Sequence, residues 1–343
     1  MRTTRSLVRA LSDGPLDVIG DVHGEREALE SLLQRLGYDR HGNHPRSRKI
    51  VLVGDLCDRG PDSPGVIRLA QTLVDNGNAL AVAGNHELNI LRGERKHGNH
   101  WFFGKSFDPE FGRCVAIPER EQADILEFFR SLPVVLERKD LRILHAAWTD
   151  AAVYQLRAIE EPLDVAYQIF NDALHRDPEF LAIKARSDEE RALLGTALQD
   201  LAVAPTATAI GRCDEAYQLG NPVRVVTSGI ERATADPFPA AGKWRFVERV
   251  AWWREYDGPV PVLFGHYWRW WDPSVHASLS KGEPHLFADD PVGPFMAEHH
   301  RAFCIDFSVG SRYKQRVVGH RPPYHGRLAA IRWPERELVF DTA

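Results

Sequence analysis

Six short apolar runs punctuate the chain, and each ends on a polar residue able to do chemistry. They are residues 16–20 before Asp21, 50–54 before Asp55, 79–84 before Asn85, 141–144 before His145, 260–265 before His266 and 302–305 before Asp306. Runs of this length, rich in Val, Ile and Leu and closed by Gly or turn residues, predict buried strands. Between the first three the period lengthens to that of a helix. Over 25–36 the residues Ala28, Leu29, Leu32, Leu33 and Leu36 share one face, and over 64–73 Val66, Ile67, Ala70 and Leu73 do the same. Strand–helix alternation of this kind implies an α/β layered fold. Such folds gather their ligand site from loops at the carboxyl ends of strands, which is where the polar residues fall.

The 120 residues between His145 and His266 follow another pattern. Helices are expected over 163–174, with Val165, Ala166, Ile169, Phe170, Ala173 and Leu174 apolar, and over 189–201, with Leu193, Leu194, Ala197 and Leu201. The Pro-, Gly- and Thr-rich stretch 205–243 predicts irregular structure. Residues 150–245 are therefore expected to form a mainly helical cap inserted into a single catalytic domain spanning 1–343. The tail, GRLAAIRWPERELVFD, predicts two strands around a Pro-Glu turn that finish a sheet.

With 43% hydrophobic and 27% charged residues, the chain has the composition of a globular protein with ample core material. The formal net charge of −5 offers no basic field for nucleic acid or an anionic membrane, so neither is an expected partner. An acidic enzyme acting on an anionic substrate needs local cations, and metals are one way to supply them. Cys57, Cys114, Cys213 and Cys304 form no CxxC pair and are too scattered for a disulfide framework. No stretch of 18 apolar residues occurs, and residues 1–21 lack a continuous apolar core, so a reduced, cytoplasmic protein is expected.

Read together, the strand ends carry the donors of a dinuclear metal site. GDVHG (residues 20–24) offers Asp21 and His23; GDLCDRGP (54–61) offers Asp55 as a bridging carboxylate; GNHE (84–87) offers the Asn85 carbonyl oxygen; His145 and His266 follow. Two carboxylates, an amide and three imidazoles form a mixed nitrogen and oxygen set suited to Mn, Fe, Zn or Co rather than Ca. His86, beside Asn85, is placed to protonate a leaving oxygen. Asp58 is placed to orient it and raise its pKa, and Arg59 to clamp phosphoryl oxygens in bidentate fashion.

These segments resemble the phosphoprotein-phosphatase branch of the calcineurin-like metallophosphoesterases. The DRG after the second aspartate separates that branch from the wider superfamily, with its nucleases and purple acid phosphatases. GNHELNILRGERKHGNHWFF and the ending FCIDFSVG…GRLAAIRW are similar to bacterial and phage members, such as lambda phosphatase and diadenosine tetraphosphatases. The resemblance covers about 1–148 and 260–343. It implies a layered β-sandwich flanked by helices and two divalent metal ions, most typically Mn2+. Asp21, His23 and Asp55 would bind the first ion, and Asp55, Asn85, His145 and His266 the second. A hydroxide shared by the ions would attack in line, with His86–Asp58 as acid pair and Arg59 on the phosphate. The chain departs from the family in Ala146-Ala147-Trp148, where two glycines are common, and in GHYW where GHT is common. A second phosphate-binding arginine is expected between the late histidines, with Arg245, Arg249 and Arg254 as candidates.

The expected substrate is a phosphorylated one: a phosphoprotein of the Ser/Thr type or a phosphomonoester, with a dinucleoside polyphosphate or other nucleotide as the alternative. A non-catalytic binding module that keeps the fold is a remote third reading; it would predict a lost ligand, and none is missing. Cys57 reads as packing rather than as a ligand. His97, His100 and Trp101 either line a substrate mouth or anchor a loop. Trp252, Trp253, Trp268, Trp270 and Trp271 are more readily explained by packing than by stacking on a base. The basic run Arg312, Lys314, Arg316 and Arg321 reads as a solvated loop.

Overall fold

The computed structural model describes residues 6–96, 98–240, 242–276, 285–288, 290 and 301–342, so His97 lies outside the described residues. The first half runs β1 (Val8–Ala10), β2 (Leu16–Ile19), α1 (Arg26–Leu36), β3 (Lys49–Leu52), α2 (Ser63–Asp75), β4 (Ala79–Ala81) and α3 (Asn85–Leu91). It continues with a small hairpin, β5 (Phe107–Asp108) and β6 (Gly112–Arg113), then α4 (Glu119–Ser131), β7 (Val135–Arg138) and β8 (Leu141–Leu144). The helix faces follow the apolar pattern. Ala28, Leu29, Leu32, Leu33 and Leu36 are the buried residues of α1, which stops at Gly37 in the left-handed conformation (φ 96°). The side chain of Asp62 caps α2 by accepting from the Gly65 amide, with Pro64 in the first turn.

Past β8 come α5 (Asp150–Arg157), α6 (Leu163–Leu174), α7 (Pro178–Leu194), α8 (Thr208–Leu219), α9 (Pro222–Ser228), β9 (Glu231–Ala240) and β10 (Lys243–Arg249). The last elements are β11 (Val262–Phe264), β12 (Ala302–Cys304), α10 (Arg312–Val317), β13 (Ala329–Trp333) and β14 (Glu337–Phe340). Two expectations fail here. The helix placed over 189–201 begins instead at Pro178, where Asp177 caps it, and it breaks at Gly195. Leu193 is 88% exposed, so its apolar period never found a core to face. The stretch 205–243, expected to be irregular, holds α8, α9 and β9. Pro222 sits at the start of α9, where a missing amide costs nothing, and Asn221 caps that helix. Pro237 falls in a register shift of the two-stranded β9–β10 ribbon, which tolerates it.

Two five-stranded sheets carry the site. One has the order β14-β13-β2-β3-β4 and the other β1-β7-β8-β11-β12. β2, β3 and β4 are parallel, with Val18 opposite Val51, and the tail hairpin adds β13 antiparallel to β2, with Ile331 opposite Val18. In the second sheet β8, β11 and β12 are parallel. Leu16, Val18, Val51 and Ile331 share one core with Leu136, Leu141, Ile143 and Leu263, so the two sheets pack face to face as a sandwich. Arg312, Lys314 and Arg316 of the basic run are helical, while Arg321 lies in an exposed loop beyond them: in α10, Arg312 is buried against Asp341 at 2.7 Å, and Arg316 meets Glu25 at 2.6 Å. Among the described residues no helix is long and apolar enough to cross a membrane.

Candidate active site

β2, β3, β8 and β11 all deliver their next residues to one end of the sandwich, and α3 starts there. Asp21, His23, Asp55, Asp58, His86, His145 and His266 are buried at this point. Asp55 Oδ2 is the centre of the arrangement. It lies 3.6 Å from His23 Nε2, 3.8 Å from His86 Nε2 and 3.4 Å from His145 Nε2. Asp21 Oδ2 is 3.8 Å from His23 Nε2, and Asn85 Oδ1 is 3.2 Å from His145 Nε2 and 2.9 Å from His266 Nδ1. Two groups with metal-ligand spacing share Asp55: one with His23 and His86, the other with His145 and His266. His86, read from sequence as an acid, thus also stands at ligand distance.

The loops that present these groups are bent to do so. Among the described residues, His23, Asp55, Asp58, Arg59, His266, Trp268 and Ser308 all have positive φ, a conformation that side chains other than Gly adopt at a cost of about 1–3 kcal/mol. The glycines beside them leave no room for a side chain. A Cβ on Gly265 would stand 1.9 Å from Asp21 Oδ1, and one on Gly84 2.2 Å from Asp55 Oδ1. Backbone amides complete the hold: His86 N–H donates to Asp55 Oδ1 at 3.0 Å, and His266 N–H to Asp21 Oδ2 at 3.1 Å.

Tautomers follow from the carbonyl partners. His145 Nδ1 donates to Val53 O at 2.8 Å, so Nε2 of a neutral ring would point a lone pair at the oxygens of Asp55 and Asn85. Only a proton or a metal cation makes that contact favourable. Burial pushes the His145 pKa down, but the charges of Asp55 and then Asp21 overcome it and hold it up at about 10. His23 Nδ1 donates to Cys57 O at 3.1 Å, leaving Nε2 to accept from Arg59 Nη1 at 2.7 Å. Burial, then the Arg59 charge, keeps His23 well below the usual histidine range; burial, then Arg249, does so for His266. Burial alone would raise Asp55, but His145 and then His86 hold it well below the usual carboxylate range. Asp21 is raised by burial and then by the charge of Asp306. His23, His266 and Asp55 are thus pushed toward the forms that ligate, whereas His145 and Asp21 are pushed toward protonated forms whose protons a cation would displace. Donors about 2.0–2.2 Å from one ion stand roughly 3–3.5 Å apart, close to the spacing seen here, so the residues fit divalent cations.

Arg59, partly exposed, borders the buried His86–Asp58 pair. Arg59 Nη2 is 3.0 Å from His86 Nε2, and its guanidinium carbon lies 4.7 Å over the Trp268 ring. His86 Nδ1 donates to Asp58 Oδ2 at 2.5 Å, while Trp101 Nε1 donates to Asp58 Oδ1 at 2.6 Å. Trp101, fully buried, thus holds Asp58 instead of lining a substrate mouth. Of the three arginine candidates, Arg245 pairs with Glu231 at 2.5 Å and Arg254 donates to Leu286 O at 2.8 Å. Arg245 and Arg249 both line the cleft that holds Asn85 and His266, and Arg249 is the one whose charge acts on His266. The tryptophans divide: Trp252 and Trp253 pack on Phe264 beneath the site at 4.8 and 5.4 Å, and Trp268 supports Arg59.

Sequence reasoning missed two carboxylates. Glu87, fully buried, accepts from the amides of Asp55, Leu56 and Gly84, each at 2.8 Å, and so ties the start of α3 to the loop after β3. It was visible as the fourth letter of GNHE. Asp306 accepts from the Trp268 and Ser308 amides, both at 2.8 Å, and shapes the loop after His266. Its position at the end of an apolar run was the signal. Cys57, also buried, donates weakly to Glu87 Oε1 at 3.5 Å and packs in the core.

Comparison with known proteins finds the calcineurin-like phosphoesterase model matching residues 14–191, just over half the chain. A bis(5′-nucleosyl)-tetraphosphatase (asymmetrical), PrpE, of Oceanobacillus iheyensis is 35% identical over 138 residues, covering 38% of this chain and 54% of the relative. Its counterpart from Halalkalibacterium halodurans is 35% identical over 122 residues, 34% and 48% of the two chains. The chain thus spans about half the length of the curated relatives it matches. A solved structure described as a putative diadenosine tetraphosphatase aligns over 98% of this chain and 97% of its own, at 19% identity and a TM-score of 0.44. Four of the five motif segments, from Asp21 to His145, lie within the residues that the family model matches, and that match over more than half of the chain places it in the calcineurin-like phosphoesterase family.

Proposed function

We propose that the chain hydrolyses phosphate esters with two divalent cations, held by Asp21, His23 and Asp55 on one side and by Asp55, Asn85, His145 and His266 on the other. The observation that carries this is the convergence of three imidazole nitrogens within 3.4–3.8 Å of the single oxygen Asp55 Oδ2. Bound there, Mn2+ or a similar ion (Fe, Zn or Co) supplies an activated water and neutralises phosphoryl charge. The protein's own groups do the rest. Arg59, braced on Trp268 and aimed between His23 and His86, holds the scissile phosphoryl group. His86, its Nδ1 fixed by Asp58, would give a proton carried on Nε2 to the departing oxygen once the phosphate has drawn Arg59 away from that nitrogen. Arg249, in the cleft beside His266, is the arginine candidate best placed for a second contact.

Phosphomonoesters, including phosphoserine and phosphothreonine in proteins, are substrates this arrangement can serve. A second reading, nucleotide polyphosphates, is favoured by one specific feature: the cleft of about 660 Å³ beside Asn85 and His266 is lined by Arg92, Arg224 and Arg249 together with Tyr167 and Tyr217. Residues 150–245, read as a cap, supply much of that wall. The test is a panel of p-nitrophenyl phosphate, phosphopeptides and dinucleoside polyphosphates with Mn2+-loaded protein, beside calorimetric metal titration of wild type and Asp55→Asn. Hydrolysis by wild type, with both metal affinities lost in the variant, is expected. Two intact metal-binding events in Asp55→Asn would remove the bridging role.

A further inference from the structure

The chain carries a net charge of −5, yet the cleft beside the metal-ligand cluster is strongly cationic. Among the described residues, seven arginines and lysines line it against three carboxylates. Those carboxylates are already engaged: Glu94 with Arg92 and Lys96, Asp214 with Arg191, and Glu231 with Arg245. Arg224 differs from its neighbours. It is only 9% exposed, and among the described residues no carboxylate pairs with it.

Its hydrogen-bond partners are neutral. Arg224 Nε donates to the Tyr167 hydroxyl at 2.9 Å, a second nitrogen donates to the same oxygen, and Nη1 donates to Tyr217 O at 3.2 Å. Its guanidinium lies 3.2 Å over the Tyr217 ring, and Arg92 stacks 3.9 Å over the Tyr167 ring. Burial pushes the Tyr217 phenol up, but the Tyr167 hydrogen bond and the Arg224 charge outweigh it and hold the phenol below its ordinary range. A buried cation compensated by a phenol, one backbone carbonyl and ring faces, with no carboxylate, is costly unless an anion completes it. The cleft wall that the segment between His145 and His266 contributes therefore holds a preformed guanidinium, fixed in orientation, facing the space next to the metal ligands.

We propose that Arg224, set between Tyr167 and Tyr217, is a second anion subsite that takes a phosphate remote from the scissile one in a substrate with a polyphosphate chain. The inference deepens the two-metal reading above and rests on it for the position of the scissile group. The cleft volume of about 660 Å³ is ample for a nucleoside polyphosphate. A lone phosphomonoester would leave Arg224 uncompleted. Specificity for a phosphate chain then resides in residues that the amino-terminal family motifs do not contain.

Two measurements test this. In titration calorimetry on metal-free protein, triphosphate should bind at least tenfold more tightly than inorganic phosphate, and Arg224→Gln should remove most of that preference, the loss expected for one charged hydrogen-bonding partner. In Mn2+-loaded protein, the ratio of kcat/KM for adenosine triphosphate to that for p-nitrophenyl phosphate should fall about tenfold in Arg224→Gln, carried by KM. Equal affinity of wild type for the two anions overturns the subsite whatever the variant does, as does an unchanged ratio in folded Arg224→Gln. Should wild type hydrolyse neither compound, the two-metal reading fails, and the calorimetric comparison still decides the subsite on its own.

Discussion

Asp58 is gripped from both oxygens, by His86 Nδ1 and by Trp101 Nε1, and its own amide donates to Ser63 Oγ at 2.9 Å. A carboxylate fixed in this way can only orient the imidazole that faces it. His86→Asn should therefore slow hydrolysis of an alkyl phosphate by about 10²–10⁴-fold, the usual contribution of a general acid, while costing far less with a p-nitrophenolate leaving group. Equal losses on the two esters would assign His86 to metal binding, which its 3.8 Å distance from Asp55 Oδ2 also permits. At this scale the sequence was readable where a motif packs chemistry into neighbouring letters. GDLCDRGP contained Asp55, Asp58 and Arg59 together, and all three converge in space. Trp101 and Trp268 were visible only as aromatics, because nothing local says which ring will meet Asp58 or Arg59.

Glu87 shows how elements are locked rather than merely packed. Three amides from two segments end on one buried carboxylate, so the start of α3 and the loop carrying Asp55 move as a unit. Replacing it with Gln turns one acceptor into a donor facing amide N–H groups. Glu87→Gln should cost about 1–3 kcal/mol in denaturant unfolding, the penalty of an unsatisfied buried amide, and loosen metal binding by displacing Asp55. A variant as stable as wild type would show that water takes over the contact. Elements were legible wherever burial matched the local period. α1 and α6 fall where their apolar spacing put them, and β8 has the predicted bounds. Over 178–249 the reading failed because α7, α8 and the β9–β10 ribbon pack mainly on one another, with Ile210, Trp244 and Phe246 in a small separate core. Faces so thinly buried leave a weak period, and the prolines there sit at a helix start and in a ribbon irregularity instead of marking loops.

Taken whole, the molecule buries Asp21, Asp55 and Asp306 together, an arrangement that asks for positive charge. Without metal, protons supply part of it. Asp21 is raised by burial and Asp306, and His145 is held up at about 10, so both bind protons more tightly folded than unfolded. Their stabilisation is present below the unfolded-state pKa and is lost as pH rises through the folded one. Asp55, depressed, works in the opposite sense, but its ordinary pKa lies below that window. Metal-free protein should therefore lose stability from about pH 6.5, the ordinary histidine value, to about pH 10, the folded value of His145, and the rise in Tm on adding Mn2+ should grow across the same range. A metal-induced shift that shrinks with rising pH would contradict the arrangement.

The pairing of β13 with β2 has a consequence for how the molecule is made. Asp21 leaves β2 early in the sequence, yet that strand is flanked on one side by residues 329–333 and its aspartate is steadied by the amide of His266. During synthesis a ribosome would release the first two-thirds of the chain with β2 still an open edge and the aspartate unsteadied. Closure of the reaction centre must wait for the carboxyl-terminal hairpin to emerge, so a nascent chain stalled before residue 329 should hold its acids and imidazoles apart and draw no ions.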